Sequence, residues 1–389
     1  MNNRRIVGVS FGAILFYAME LAVLGPLLPS ISQTFRLNLS QTGIIFTVSF
    51  SGFVAFTLIS GFLADKYGKR RMLAVVLLGA AVSLFFMGIS ATFIEALICV
   101  FFIGGCCGCL ESLASAILAD TNPSKESFYV NASQIFFGVG SVIAPMLAGF
   151  ALSSGLLWKW CYIALSVLFL ICFAALLTVK TGEDRLSESI RLEHVKMIIS
   201  NRKIQILCVC MFCYSGSETC SWGWLTTFLQ GEAGFSTILS SAAVSILWVF
   251  IVLGRVGCLG ALQKFDEMKI VPPLALVTVI GILVSAVFKA PALIWIGIGV
   301  TGIGYSAQWP LILGYGLKDW PGYSGTAASI MIGSSALGMT VIPLLAGYLG
   351  DAFGMRAAMA LPAVFLAVIA ILAFYLLRTN VAKTAAEPH

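Results

Sequence analysis

Four polar residues stand where the chain is otherwise apolar: Glu20, Glu111, Glu218 and Gln308. An ionisable group inside an apolar run is costly, and where it persists it usually binds a proton, an ion or a substrate. A carboxyl away from water favours its neutral form, and with no fixed counter-cation it can exchange protons near neutral pH. No lysine, arginine or histidine lies in the apolar runs near the level of these acids. Proton exchange is therefore the chemistry to which the set points. The plainer alternative for each acid is a permanently protonated group that hydrogen-bonds a neighbouring helix.

The elements that must position these residues follow from the composition. The chain has 389 residues, is 59% hydrophobic and 10% charged, and has a mean hydropathy of +1.00. Apolar runs fall at roughly 6–31, 41–64, 72–90, 93–119, 128–152, 157–178, 203–229, 237–259, 270–288, 291–316, 323–349 and 355–377. About 20 apolar residues cross a bilayer as a helix, and the strict alternation of a membrane β-barrel is absent. The expected fold is an all-α membrane protein of twelve transmembrane helices. At about 1.5 Å per residue, Glu20 and Glu218 lie within about 3 Å of their span centres and Glu111 roughly 7 Å to the cytoplasmic side of its own.

The sequence also repeats itself. Gly140, Pro145 and Gly149 return as Gly338, Pro343 and Gly347, and the differences 338 − 140, 343 − 145 and 347 − 149 all equal 198. The same step carries Glu20 onto Glu218, and a step of 197 carries Glu111 onto Gln308. This predicts two pseudo-symmetric six-helix halves, 1–178 and 204–389, joined by a linker at 179–203. The linker holds Glu183, Asp184, Arg185, Arg191, Glu193, His194 and Lys196, and its segment SESIRLEHVKMII reads as a short surface helix. Two membrane halves with buried polar groups at equivalent places imply a transporter.

The net charge of +6 has a topological cause. With the N-terminus in the cytoplasm, about eighteen basic residues fall on the cytoplasmic side. The other side holds Arg36, Lys159, Lys289 and Arg356. That asymmetry places both termini in the cytoplasm of a cell membrane, a bacterial inner membrane being expected, and argues against nucleic-acid binding. Met1–Arg5 begins the first span, since the following run is too long for a signal peptide and shows no cleavage site. The eleven cysteines, clustered at Cys106, Cys107 and Cys109 and at Cys208, Cys210 and Cys213, read as packing residues, because no histidine joins them in a span to make a metal site. The short loops and the lack of a Walker phosphate loop exclude an ATP-driven pump and a soluble active site. No cofactor is implied.

Between the second and third spans the chain reads Gly61-Phe-Leu-Ala-Asp65-Lys66-Tyr-Gly68-Lys69-Arg70-Arg71. Gly61 permits close helix approach, Asp65 can accept charge-assisted hydrogen bonds, and the cations are expected at the lipid headgroups. The run resembles the signature loop of the major facilitator superfamily, Gly-x-Leu-Ala-Asp-Arg-x-Gly-Arg-Lys. The resemblance implies a gate that stabilises the outward-open state, formed by Gly61, Asp65, Gly68, Lys69 and Arg70. It also implies that spans one, four, seven and ten line a central cavity, where Glu20, Glu111, Glu218 and Gln308 face one another across water. The second-half counterpart, GRVGCLGALQKF from Gly254 to Phe265, keeps glycines but no acid. Its Arg255 either pairs with an acid or snorkels to the surface.

A closer resemblance rests on Gly108-Cys109-Leu110-Glu111 and on Asn131, Gln134, Phe136 and Gly140 in the fifth span. These are similar to the Gly-Cys-Leu-Glu and Asn-x-x-Gln-x-Phe-x-x-x-Gly runs of the fucose permease group of sugar–proton symporters. The resemblance implies that Glu111 couples to protons, with Glu20 and Glu218 as further coupling acids. Asn131, Gln134 and Gln308 would contact sugar hydroxyls, since an amide both donates and accepts. Trp309, with Trp222 or Trp224, would offer apolar ring faces. The expectation is a monomeric, proton-coupled importer of a small neutral polar solute such as a sugar, working by alternating access. The alternative is a proton-coupled efflux antiporter for cationic or amphipathic drugs.

Overall fold

A bilayer offers no water to unpaired backbone groups, so apolar runs of this length satisfy their amides internally, as helices. The computed structural model describes residues 2–121, 126–179, 192–320 and 323–386. Helix dominates them: α1 Asn2–Phe35, α2 Leu39–Tyr67, α3 Lys69–Ile89, α4 Phe93–Thr121, α5 Glu126–Ser153, α6 Trp158–Leu177, α7 Leu192–Ile199, α8 Arg202–Glu232, α9 Thr237–Leu262, α10 Glu267–Val287, α11 Pro291–Tyr305, α12 Gln308–Leu317, α13 Ser324–Phe353 and α14 Met355–Ala386. Ten of these are long and apolar enough to cross a membrane by length and composition. α8 is 31 residues long but carries Ser215, Ser217, Glu218, Thr219 and Ser221 in its middle. α11 and α12 share one expected span. Counting α8 and that pair brings the crossings to the expected twelve. The short helix expected in the linker is α7, of which Leu192–Ile199 is described.

The tenth span departs from expectation. The run 291–316 was expected as one helix, and it breaks at Ser306–Ala307, where Ala307 leaves helical geometry at φ −121° and ψ −2°. Pro310 supplies the local reason. It has no N–H for the Ser306 carbonyl four residues earlier, and its ring crowds that carbonyl. Pro145 and Pro343, by contrast, sit inside unbroken α5 and α13. At the tenth span another side chain takes the freed Ser306 carbonyl, as described below.

The chain divides into two compact units, Met1–Glu188 with Gly234–Ser245 and Ser189–Ala233 with Ile246–His389. The main division falls inside the 179–203 linker, and the first turns of α9 go with the first unit. Within the first unit α1 packs on α5 and α2 on α4. Within the second, α8 packs on α13 and α14, and α10 on α11 and α14.

The 198-residue echo is legible in these contacts as absent side chains. A Cβ on Gly140 of α5 would overlap the Leu15 carbonyl of α1, and a Cβ on Gly338 of α13 would overlap the Phe212 carbonyl of α8. Likewise a Cβ on Gly104 would overlap the Ser49 carbonyl, and one on Gly302 would lie 2.7 Å from the Leu247 carbonyl. Small residues let helix backbones meet where lipid gives no hydrophobic drive for association. The repeated glycines thus fix the same helix crossings in both units, and those crossings hold the polar residues in place.

Candidate functional site

In the first unit the two acids stand on facing helices and exchange partners. Tyr17, one turn before Glu20 on α1, donates from Oη to Glu111 Oε2 on α4 at 3.2 Å. Cys107, one turn before Glu111 on α4, brings its thiol to the Glu20 carboxyl on α1. Residues three or four apart share a helix face, so each helix offers one acid and one neutral donor to the other. Glu20 is 9% exposed and Glu111 is partly buried. Among the described residues, no cation is among the groups acting on either acid. Phe137 of α5 tilts over the Tyr17 ring with centroids 5.7 Å apart.

In the second unit the acid is wired differently. Tyr214, one turn before Glu218 on α8, brings its Oη to 2.7 Å from Glu218 Oε1 and to 2.8 Å from the backbone carbonyl of Tyr305. Tyr305 is the last residue of α11. Its own hydroxyl lies 2.9 Å from Ser221 Oγ, one turn beyond Glu218. At the next carbonyl, Arg255 Nε of α9 donates to Ser306 O at 2.8 Å. This is the bond that Pro310 cannot make. Arg255 therefore neither pairs with an acid nor snorkels. It caps the broken helix and also acts electrostatically on Glu218 and Tyr214. The expectation that no cation lies near the level of the acids does not hold for Glu218: Arg255, from another span, acts on it electrostatically without forming an ion pair with it.

Gln308 opens α12 on the other side of the break. Its Nε2 donates to Gly304 O at 2.8 Å and to Thr278 Oγ1 at 3.1 Å, and its side chain is fully buried. Its Oε1 has no partner among the described residues. The expected water-facing position is not the one it occupies, because the two hydrogen bonds from its Nε2 hold it in the break. Trp222 is fully buried on α8 and shows no ring face to a ligand here. Trp224 is also buried, and its Nε1 donates to the Pro343 carbonyl at 3.0 Å, which ties α8 to α13. Trp309 remains half-buried and Gln134 is exposed on α5. The side chain of Asn131 lies outside the described residues.

At the expected gate, Gly68 turns the chain between α2 and α3 at φ 89°, a conformation that glycine adopts without strain. Lys69 Nζ lies 2.6 Å from Asp120 Oδ2 at the end of α4. Arg70 Nη2 donates to the Leu176 carbonyl near the end of α6 at 3.2 Å. Lys69 and Arg70, expected at the headgroups, each hold a helix end of the protein. Cations at helix C-termini find free carbonyls and the negative end of the dipole there. The side chains of Gly61 and Asp65 lie outside the described residues.

Sequence reading passed over Tyr17, Tyr214 and Tyr305 and gave Cys107 a packing role, because hydropathy counts them with the apolar residues. The signal was available in spacing: a tyrosine stands three residues before Glu20 and four before Glu218, on the acid's own helix face.

Comparison with known proteins places this geometry. Residues 10–339 match the family profile described as Major Facilitator Superfamily. The chain is similar to the mouse (Mus musculus) sodium-dependent glucose transporter 1A, at 22% identity over 380 residues, covering 87% of this chain and 88% of the relative. A solved variant of the nucleoside transporter NupG superposes with a TM-score of 0.82 at 13% identity, covering 97% of this chain and 99% of that one. A variant of the E. coli fucose:proton symporter FucP superposes with a TM-score of 0.66 at 19% identity, covering 96% and 99%.

Proposed function

The chain belongs to the Major Facilitator Superfamily and is a membrane transporter rather than an enzyme; on that premise we propose that it carries a small neutral polar solute such as a sugar into the cell, coupled to protons. The observation that carries this reading is the crossed pair in the first unit. Glu20 and Glu111 each meet a neutral donor from the facing helix and no cation. Such carboxyls can gain and lose protons without breaking an ion pair, which is what a proton-coupled carrier needs. Glu111 is the principal coupling acid, with Glu20 and Glu218 as further ones. The similarity to a glucose transporter and a fucose:proton symporter supports a sugar as cargo.

In this reading the working parts are the halves 1–178 and 204–389, joined by 179–203 and rocking about a central site as a monomer. Asn131, Gln134 and Trp309 meet the solute, whereas Gln308 and Trp222 can do so only in a state that frees them from the packing described. Gly61, Asp65, Gly68, Lys69 and Arg70 form the gate. The basic residues set both termini in the cytoplasm, in a bacterial inner membrane. The test is uptake into liposomes holding the purified protein, across a sugar panel, under an imposed pH gradient and separately under a sodium gradient. Uptake driven by the pH gradient alone supports the proposal. Uptake that follows sodium alone, or no sugar uptake at all, overturns it.

A further inference from the structure

Proton counting at Tyr214 carries a second inference. The Tyr214 oxygen stands 2.7 Å from Glu218 Oε1 and 2.8 Å from the Tyr305 carbonyl. A phenol has one hydrogen to donate, and a backbone carbonyl can only accept. Both contacts are hydrogen bonds only when Glu218 carries a proton and donates it to the phenol oxygen. Tyr214 then donates onward to Tyr305 O. When Glu218 is ionised, the phenol hydrogen turns to the carboxylate, as charge-assisted bonds are the stronger, and the last carbonyl of α11 loses that donor.

The geometry points to a proton-operated clasp on a broken helix: protonation of Glu218 fastens the α11 end to α8 through Tyr214, and deprotonation releases it. The carbonyls at the break argue against a bound metal cation in this role. Gly304 O is taken by Gln308 Nε2, Tyr305 O by Tyr214 and Ser306 O by Arg255 Nε. The charged and titratable groups around Glu218 are few. α8 itself brings Tyr214, α11 brings Tyr305 and α9 brings Arg255. Cys220 of α8 acts on Tyr305. α12 offers Tyr315, which lies beneath Lys203 at the start of α8, and α14 offers Tyr375 at that same end, beneath Arg202. At the opposite end Arg356 of α14 pairs with Glu232. On α13, which meets α8 where Gly338 packs on Gly216, the titratable residues are Tyr348 and Asp351, about 15–20 Å further along the helix. α7 lies by the first turn of α8. Glu218 therefore titrates against Arg255 and two tyrosines.

The clasp deepens the proposed function and rests on it for its use in transport, though not for its chemistry. Its test accordingly needs neither solute nor gradient, so either reading can fail alone. Amide hydrogen exchange is followed across Tyr305–Leu311 in purified protein in nanodiscs from acid to alkaline pH, corrected for the intrinsic exchange rate. Wild-type protection is expected to fall roughly 2- to 10-fold as pH rises through the Glu218 titration, the range of one modest hydrogen bond. Glu218→Gln, whose amide can donate to the phenol, should be protected at all pH values, and Tyr214→Phe at none. A pH-independent wild type, or a Glu218→Gln variant that follows wild type, overturns the clasp. So does protection that changes at fixed pH when sodium replaces choline. Infrared spectra give a check that needs no change at Glu218: Tyr214→Phe should shift the stretch of the protonated Glu218 carboxyl, and an unshifted band overturns the contact.

Discussion

The acids of the first unit answer to side chains, whereas the acid of the second answers to backbone. Glu20 and Glu111 are crossed by Cys107 and Tyr17 between two continuous helices, α1 and α4. Glu218 reaches the end of an interrupted helix through Tyr214, with Arg255 at the next carbonyl. A proton arriving in the first unit changes the charge between two helices without unfastening either. In the second, under the proposed clasp, the same event decides whether a helix end is held. On the proposed reading, two copies of one architecture separate two tasks of a coupled carrier: binding the proton, and converting its presence into movement of the main chain.

The strongest way to break this contrast is Glu111→Gln. Gradient-driven accumulation in proteoliposomes should vanish while solute exchange across the membrane continues. Full accumulation by the variant would remove Glu111 from coupling and leave the first unit without its assigned task.

What the units share is tested next. Gly140→Leu and Gly338→Leu should each cost about 1–3 kcal/mol or more, because each drives a side chain into a facing backbone carbonyl. Thermal unfolding in detergent should show comparable losses. If one variant is harmless, the echo is not a common helix crossing.

Arg255→Ala sharpens the difference between the units. It leaves the Ser306 carbonyl without the donor that Pro310 denies it, a loss of about 1–3 kcal/mol for a buried acceptor. Arg255→Lys should recover part of this. A melting temperature unchanged by the alanine variant would show that the break holds itself. The smallest effect belongs to the Lys69–Asp120 pair, whose side chains are 15% and 39% exposed. Lys69→Ala should cost no more than about 1 kcal/mol, and less at high salt. A larger loss would give the gate loop a structural weight that its exposure does not suggest.

Most of the fold can be read from the sequence because hydropathy and helix length are local properties. The spans, the α7 segment and the 198-residue echo all follow from counting residues. The break in the tenth span does not, although Pro310 was in plain view. Pro145 and Pro343 sit in helices that stay whole, so a proline alone does not decide the matter. At the break, Arg255 from 51 residues away in the chain takes the freed carbonyl, a partner that counting along the chain does not reveal. The acids were equally plain in the sequence, and their partners were not. Tyr17 and Tyr214 pass for apolar residues until the crossing of α1 with α4, or of α8 with α11, shows what their hydroxyls meet. Trp222 and Gln308 show the reverse: polar or aromatic residues in a span suggest a ligand, and here tertiary packing buries both.

The missing side chains at Gly140 and Gly338 have a genetic consequence. A crossing held by backbone contact constrains very few codons, and at those codons almost any change is a loss. The codons for the carboxyls sit outside that constraint, and a change at one of them leaves the backbone contacts at the glycine crossings in place. A duplicated gene of this design can therefore revise the chemistry of one copy while its twin stays as it was. The unlike wiring of Glu20 and Glu218 on a shared frame is the result such a history would leave.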